Sequence, residues 1–384
     1  MLTQHAILYF CAFLTDLAVA IWSFALTRRA AELGASPSEI GVLAAAWIGA
    51  YGACALVSGR VSDRLGRRGV AMTGCLIVAG VAAACAMTTR VGWLVTMGLA
   101  FGAGLSGFWP SVIAWLGEGV TGPALAARLT KFSVAWNCGL LVGFGVAGVI
   151  YEWSHTAAFV VPAGVFVVIA GLMMVRLPET TEAARPAIAP YQQPPVGRGF
   201  RKTAWLANFA VSAALGGAGT MFYDLAAQLG IGADVNGAML AVGRGAAMVA
   251  FVGLQMAGFW RVRLWPLWVA QAVAAGAVLW LGFAERTWMF VVVFAVTGLV
   301  SGYAYQASVF FSLEETSEKG KGGGFHEAIL GMAMCAGPIA AGLVGGRWGL
   351  RGAYVFCAAG LGVFVVAQMI LVFVRRQASG KVPA

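Results

Sequence analysis

Gly59-Arg60-Val61-Ser62-Asp63-Arg64-Leu65-Gly66-Arg67-Arg68 stands between two long apolar runs and packs four arginines and one aspartate into ten residues. Flanks this hydrophobic enter lipid, so a charged stretch this short lies at a membrane surface. The bias of basic residues toward the cytoplasmic side places it in the cytoplasm. Composition agrees: the chain is 60% hydrophobic and 10% charged, with mean hydropathy +0.84, against roughly a quarter charged residues in soluble domains. Most of the mass therefore belongs in the bilayer. The net charge of +10 reflects basic loops facing anionic headgroups and gives no reason to expect nucleic acid as a partner.

The seven cysteines (Cys11, Cys54, Cys75, Cys85, Cys138, Cys335 and Cys357) all fall in apolar runs without metal-site spacing, and they read as small packing residues. The first apolar run lacks a basic n-region and contains Asp16, so it is expected to be retained as a span.

At about 20 apolar residues per span, twelve are expected: 6–27, 38–59, 70–88, 92–116, 132–151, 156–176, 204–223, 236–259, 264–283, 287–313, 325–346 and 351–374. An even number puts both termini on one side. On the side of 59–69 lie eighteen basic residues: Arg60, Arg64, Arg67, Arg68, Arg128, Lys131, Arg176, Arg185, Arg198, Arg201, Lys202, Arg261, Arg263, Lys319, Lys321, Arg375, Arg376 and Lys381. Opposite lie six (Arg28, Arg29, Arg90, Arg286, Arg347, Arg351), and Arg244 alone sits inside a span. Both termini are therefore expected in the cytoplasm of a cell whose plasma membrane, the bacterial inner membrane, holds the protein.

Residues 177–202 carry five of the twelve prolines (Pro178, Pro186, Pro190, Pro194, Pro195) and a basic end, so they read as an irregular cytoplasmic linker. They divide the chain into six-span halves, 1–176 and 203–384. The halves match one another. Ala30-Ala31-Glu32-Leu33-Gly34 aligns with Ala226-Ala227-Gln228-Leu229-Gly230, and Gly41 with Gly237, at an offset of 196. Ser106-Gly107-Phe108 aligns with Ser301-Gly302-Tyr303, and Trp153 with Trp348, at 195. Six spans per repeat give two parallel repeats.

These residues carry a family resemblance. Gly59-x-x-x-Asp63-Arg64-x-Gly66-Arg67-Arg68 between spans two and three resembles the signature loop of the major facilitator superfamily. The 6+6 repeat, the long middle loop and Leu177-Pro178-Glu179-Thr180 after span six point the same way. The resemblance implies an all-α membrane protein of twelve transmembrane helices in two pseudo-symmetric bundles that rock about a central cavity. It also implies that Asp63 caps the N-terminus of span eleven when the cavity opens outward, where Gly322-Gly323-Gly324-Phe325 offer free N–H groups. The loop's arginines would pair with Glu118 at the end of span four. Gly59, Asp63, Arg64, Gly66, Arg67, Arg68 and Glu118 are thus expected gating residues. Three features depart from family patterns, the last two from that of its proton antiporters. Gly258–Arg263, the second-half counterpart of the loop, lacks an aspartate. The arginine of span four, Arg90, sits at its outer entrance. Span five has no Gly-Pro, which occurs instead as Gly337-Pro338 in span eleven.

Charges at membrane depth cost roughly 2.5–3.5 kcal/mol and usually face a cavity. Asp16, midway along span one, reads as a proton or cation coupling group or as a structural hydrogen bond. Arg244, about 13 Å into span eight, reads as a contact for an anionic substrate or as an ion pair with Asp224 or Asp16. His326-Glu327 open span eleven, as part of the latch around Asp63 or as a proton relay. Trp22, Trp109, Trp136, Asn137, Tyr223, Tyr303, Tyr305 and Gln306 fall on spans that line the cavity in the family, so they are candidate substrate contacts. Gly98-x-x-x-Gly102 and Gly139-x-x-x-Gly143 let helices approach closely.

No nucleotide loop, metal spacing or nucleophile triad appears, so neither an enzyme nor a cofactor is expected. The expectation is a monomeric secondary transporter moving a small organic solute by alternating access, with proton-coupled efflux. The alternatives are uptake of an organic anion, or a non-transporting membrane receptor or assembly factor on a transporter scaffold.

Overall fold

The computed structural model describes residues 4–35, 37–177, 200–229, 231, 233–314, 316 and 318–378. They form α1 (Gln4–Glu32), α2 (Pro37–Leu65), α3 (Arg67–Cys85), α4 (Val91–Leu105), α5 (Trp109–Leu116), α6 (Gly122–Trp153), α7 (Ala157–Arg176), α8 (Phe200–Gln228), α9 (Ala233–Met256), α10 (Trp265–Leu281), α11 (Thr287–Glu314) and α12 (Lys319–Ala378). A 3₁₀ turn at Gly258–Arg261 precedes α10. No strand occurs among the described residues. Most of the proline-rich linker, 178–199, lies outside them.

Seven helical stretches among the described residues, one of them α4 and α5 taken together (Val91–Leu116), are long and apolar enough to cross a membrane, and Ala241–Met256 and α10 are shorter apolar helices. Their outward faces agree. On α7, Val160, Val161, Val167, Val168, Met174 and Val175 are all exposed, a continuous apolar surface that water would not tolerate and lipid does.

The predicted span 92–116 is two helices. Pro110 lacks an N–H, and the backbone tightens ahead of it: the Gly107 and Phe108 N–H groups donate to the Gly104 and Leu105 carbonyls, three residues back, at 3.0 Å each. The predicted spans 325–346 and 351–374 meet without a loop, inside α12. Only Gly349 leaves helical geometry there, at φ 74° and ψ 174°, a conformation open to a residue without Cβ.

Two compact units divide the chain. The first comprises Met1–Tyr191 and Ser312–Met332. In it α1 packs on α6 and α7, α2 on α4, and α3 on α4 and α7. Glycine seams permit these approaches. A Cβ on Gly143 would lie 2.6 Å from the Leu17 carbonyl oxygen, and one on Gly139 would run into the carbonyl of Phe13. α6 therefore lies on α1 along the turn that carries Asp16.

The second unit comprises Gln192–Phe311 and Ala333–Ala384. Its core interleaves small residues (Ala214, Ala218, Ala274, Ala341, Ala353) with Phe222, Phe290 and Tyr354. Gln271 on α10 and Gln368 on α12, both fully buried, exchange amide hydrogen bonds of 3.1 and 2.8 Å. In an apolar medium this pairing satisfies one donor and one acceptor on each side chain.

Candidate functional site

The stretch Gly59–Arg68 is helix for most of its length. α2 continues through Leu65 and α3 begins at Arg67, so Gly66 alone, at φ 99°, makes the turn between them. A side chain at Gly59 would strike the carbonyl oxygen of Gly320, which is how closely the start of α12 lies on α2. In this contact the buried Asp63 accepts the N–H of Gly320 at 3.1 Å and that of Lys321 at 2.9 Å. The helix begins at Lys319, ahead of the expected Gly322–Phe325, so the capped N–H groups come earlier in the chain. Gly324 serves close packing instead, because a Cβ there would meet the carbonyl of Ala55.

Behind Asp63 lies Arg67, fully buried, with Nη2 3.2 Å from Asp63 Oδ1 and Nε donating to Glu118 Oε1. Arg68 donates to the carbonyl of Leu177 at 3.0 Å, tying the end of α7 to the start of α3. Arg128 closes α5 by donating to the carbonyls of Leu116 and Glu118, at 3.2 and 2.9 Å. Arg64 is exposed.

One member of this group escaped the sequence reading. Glu314, at the end of α11, is buried and accepts the N–H of Gly122 with both oxygens, at 2.9 and 3.1 Å. Gly122 opens α6, whose own N-cap Thr121 makes no side-chain cap. Lys319 beside it donates to the carbonyl of Leu313. The signal was available: Glu314 stands 196 residues after Glu118, the offset of the Ala30 and Ala226 repeat. Where Gly258–Arg263 has no aspartate to serve a second clasp, a carboxylate from the end of α11 caps a helix of the first half.

Of the candidate contacts in the first unit, Asp16 lies on α1 with 8% of its surface exposed. Trp22 is fully buried, stacked on Phe101 at 3.5 Å between centroids and edge-on to Trp47 at 6.0 Å. Trp109 is buried edge-on to Phe108 and Phe132, at 4.9 and 5.7 Å. Asn137 is buried and returns its amide to the carbonyl of Ser133 at 2.9 Å, within its own helix, while Trp136 is half-buried. Glu327 accepts the phenol O–H of Tyr51 at 2.5 Å, and His326 lies beside it.

A family model described as Major Facilitator Superfamily matches residues 8–204, just over half of the chain. The chain belongs to the major facilitator superfamily. Two curated relatives, each called 4-hydroxybenzoate transporter PcaK, are similar over part of it. The one from Acinetobacter baylyi is 28% identical over 38% of this chain and 31% of its own length. The one from Pseudomonas putida is 29% identical over 45% of this chain and 39% of its own. The matched region thus spans about a third of those relatives. Two solved structures share the fold. The human organic anion transporter MFSD10 (TETRAN) has a TM-score of 0.76 at 16% identity, covering 95% of this chain and 98% of that one. A variant of the E. coli fucose:proton symporter FucP has a TM-score of 0.72 at 14% identity, with the same two coverages.

In the second unit of this major facilitator chain, Tyr303 is half-buried and edge-on to Trp260 at 6.2 Å. Tyr305 packs toward Phe251 at 6.1 Å, and Gln306 is buried. Arg244 is exposed on α9. The side chains of Tyr223 and Asp224 lie outside the described residues. Trp260 donates its ring N–H to the carbonyl of Leu254 at 2.7 Å, so an aromatic anchor holds Gly258–Arg261, the counterpart of the Asp63 stretch.

Proposed function

We propose that this chain is a proton-coupled secondary transporter of a small organic anion, working by alternating access. Asp16 carries the reading: a nearly enclosed carboxylate halfway along an apolar helix has a cost in lipid that a purely structural span would avoid. Family membership supports transport over catalysis or scaffolding. The named solute of the curated relatives, an aromatic carboxylate, favours an anion over a cation or neutral sugar, and Arg244, exposed on α9, carries a guanidinium of the kind that receives a carboxylate. The clasp of Asp63 on the first turn of α12, with Glu314 on α6, is the cytoplasmic gate in its closed form. The resemblance of Gly59–Arg68 and Leu177-Pro178-Glu179-Thr180 to the corresponding stretches of efflux members favours export; uptake of the anion would use the same parts.

The test is solute movement in proteoliposomes holding the full chain, with labelled 4-hydroxybenzoate as probe and a pH gradient imposed in either direction. Gradient-driven accumulation that a protonophore abolishes is expected, and the productive polarity distinguishes export from uptake. Asp16→Asn should remove the response to the gradient, and Arg244→Gln should raise the half-saturating concentration about tenfold or more, as loss of a charge-assisted hydrogen bond implies. No movement above empty liposomes would overturn the anion reading, and a full pH response in Asp16→Asn would overturn the coupling role.

A further inference from the structure

The start of α12 lies on α2 through small residues: a Cβ on Gly331 would sit 2.7 Å from the Cα of Gly52. Two titratable side chains occupy that tight contact, His326 with 0% and Glu327 with 4% of their surfaces exposed. Tyr51 of α2 fixes Glu327 Oε2 through its 2.5 Å hydrogen bond, and His326 Nε2 stands 3.7 Å from Glu327 Oε1. Tyr51 and Asp63 are about 18 Å apart along α2 at 1.5 Å per residue. This is therefore a second polar contact between the same two helices, remote from the clasp.

Its chemistry differs from that of the clasp. Asp63 is met by two backbone N–H groups and a guanidinium. Glu327 is met from α2 by the phenol of Tyr51 and from α12 by the ring of His326. α5, whose Ile113 and Pro110 lie under Gly323, carries no titratable side chain. Lys319 and Lys321 stand at the helix start, near the clasp. A buried carboxylate is ordinarily matched by several donors or a fixed cation. Here the natural complement is a mobile one, a proton taken up by the neighbouring carboxylate and imidazole.

We propose that Glu327 and His326, whose Oε1 and Nε2 stand 3.7 Å apart, together take up one proton, closed in by Tyr51, for as long as α2 and α12 remain packed. The step is an association: one H⁺ from water adds to the carboxylate–imidazole pair, and it returns to water when the contact parts. No bond between heavy atoms changes. The two groups titrate as a pair, and proton occupancy and helix contact bias each other reciprocally. This deepens the transport reading and rests on it for its role. Besides Asp16, the chain carries a second proton, released on the side where the Asp63 clasp opens.

The experiment has one arm independent of transport. Hydrogen exchange of the amides of 326–331 is followed in the full chain in nanodiscs between about pH 5.5 and 8.5, with intrinsic rates divided out. The opening constant should rise with pH over part of that range, at up to about tenfold per pH unit, the slope of one linked proton. Glu327→Gln, neutral at every pH, should flatten the profile, and Glu327→Asp should restore a slope. A slope retained in Glu327→Gln overturns the proposal. If that variant fails to fold, Tyr51→Phe decides: its midpoint should move, and a midpoint equal to that of the parent chain overturns the site. In proteoliposomes, Glu327→Gln should lose gradient-driven accumulation about tenfold or more, and full accumulation in that variant would remove the coupling role. A parent chain that moves no solute would fail the transport reading alone, leaving the exchange profile to judge the proton site.

Discussion

Asp63, Glu118 and Glu314 bring three negative charges to the clasp region, and Arg67 and Lys319 bring two positive ones. The N-termini of α12 and α6, each worth about half a positive charge, make up the difference. Removing any one member therefore upsets that balance. Asp63→Asn keeps the shape but loses the charge that holds Gly320 and Lys321. With charge-assisted hydrogen bonds worth about 1.5–3 kcal/mol, the amides of 319–324 should exchange at least about tenfold faster. Glu314→Ala should do the same for the first turn of α6. Unchanged protection in Asp63→Asn would remove that residue from the gate. Gly59, Asp63 and Arg67 could be picked out in the sequence because their stretch has a recognisable spacing, and Glu118 followed from the family resemblance that the spacing carries. Glu314 has no local motif, and its role depends on which helix start lies opposite.

At the scale of the element, helices here meet through small residues and buried amides, because lipid tails give apolar side chains no reason to prefer one another. The pair Gln271–Gln368 tests this. Either single change to Leu leaves one buried amide unsatisfied and should destabilise by about 1–2 kcal/mol. The double change removes both amides and should recover most of that loss. A thermal-unfolding cycle on purified protein checks it, and additive losses would show that the two amides are not coupled. Element ends were harder to read than centres. α2 runs past the predicted end at Gly59 because charged residues extend a helix beyond the hydrocarbon region as readily as they leave it. α12 starts at Lys319 because Asp63 and the packing on α2 stabilise glycine-rich turns that propensity alone would leave unwound.

For the whole molecule, the basic-residue asymmetry predicts both termini in the cytoplasm. A fluorescent protein fused after Ala384 should fluoresce, and alkaline phosphatase inserted at Glu285–Arg286 should be active. The opposite pattern would reverse the membrane orientation and place the clasp outside. The internal repeat also has a consequence at this scale. Glu118 and Glu314 occupy matching positions, yet one pairs with Arg67 and the other caps α6, so two like halves have come to use one carboxylate position differently.

By itself the sequence determined that the chain is helical, lipid-embedded, internally repeated and a member of its superfamily, because hydropathy, charge bias and a spaced motif are properties of linear order. Only the tertiary structure decided where the helix start that Asp63 meets lies, at Gly320 and Lys321. It enclosed Trp22 against Phe101, set Glu314 on Gly122 and brought Tyr51 to Glu327. Those pairings join residues up to 276 apart in the chain. They depend on backbones approaching at glycines closely enough for one hydrogen bond to span the gap, a distance that no periodicity encodes.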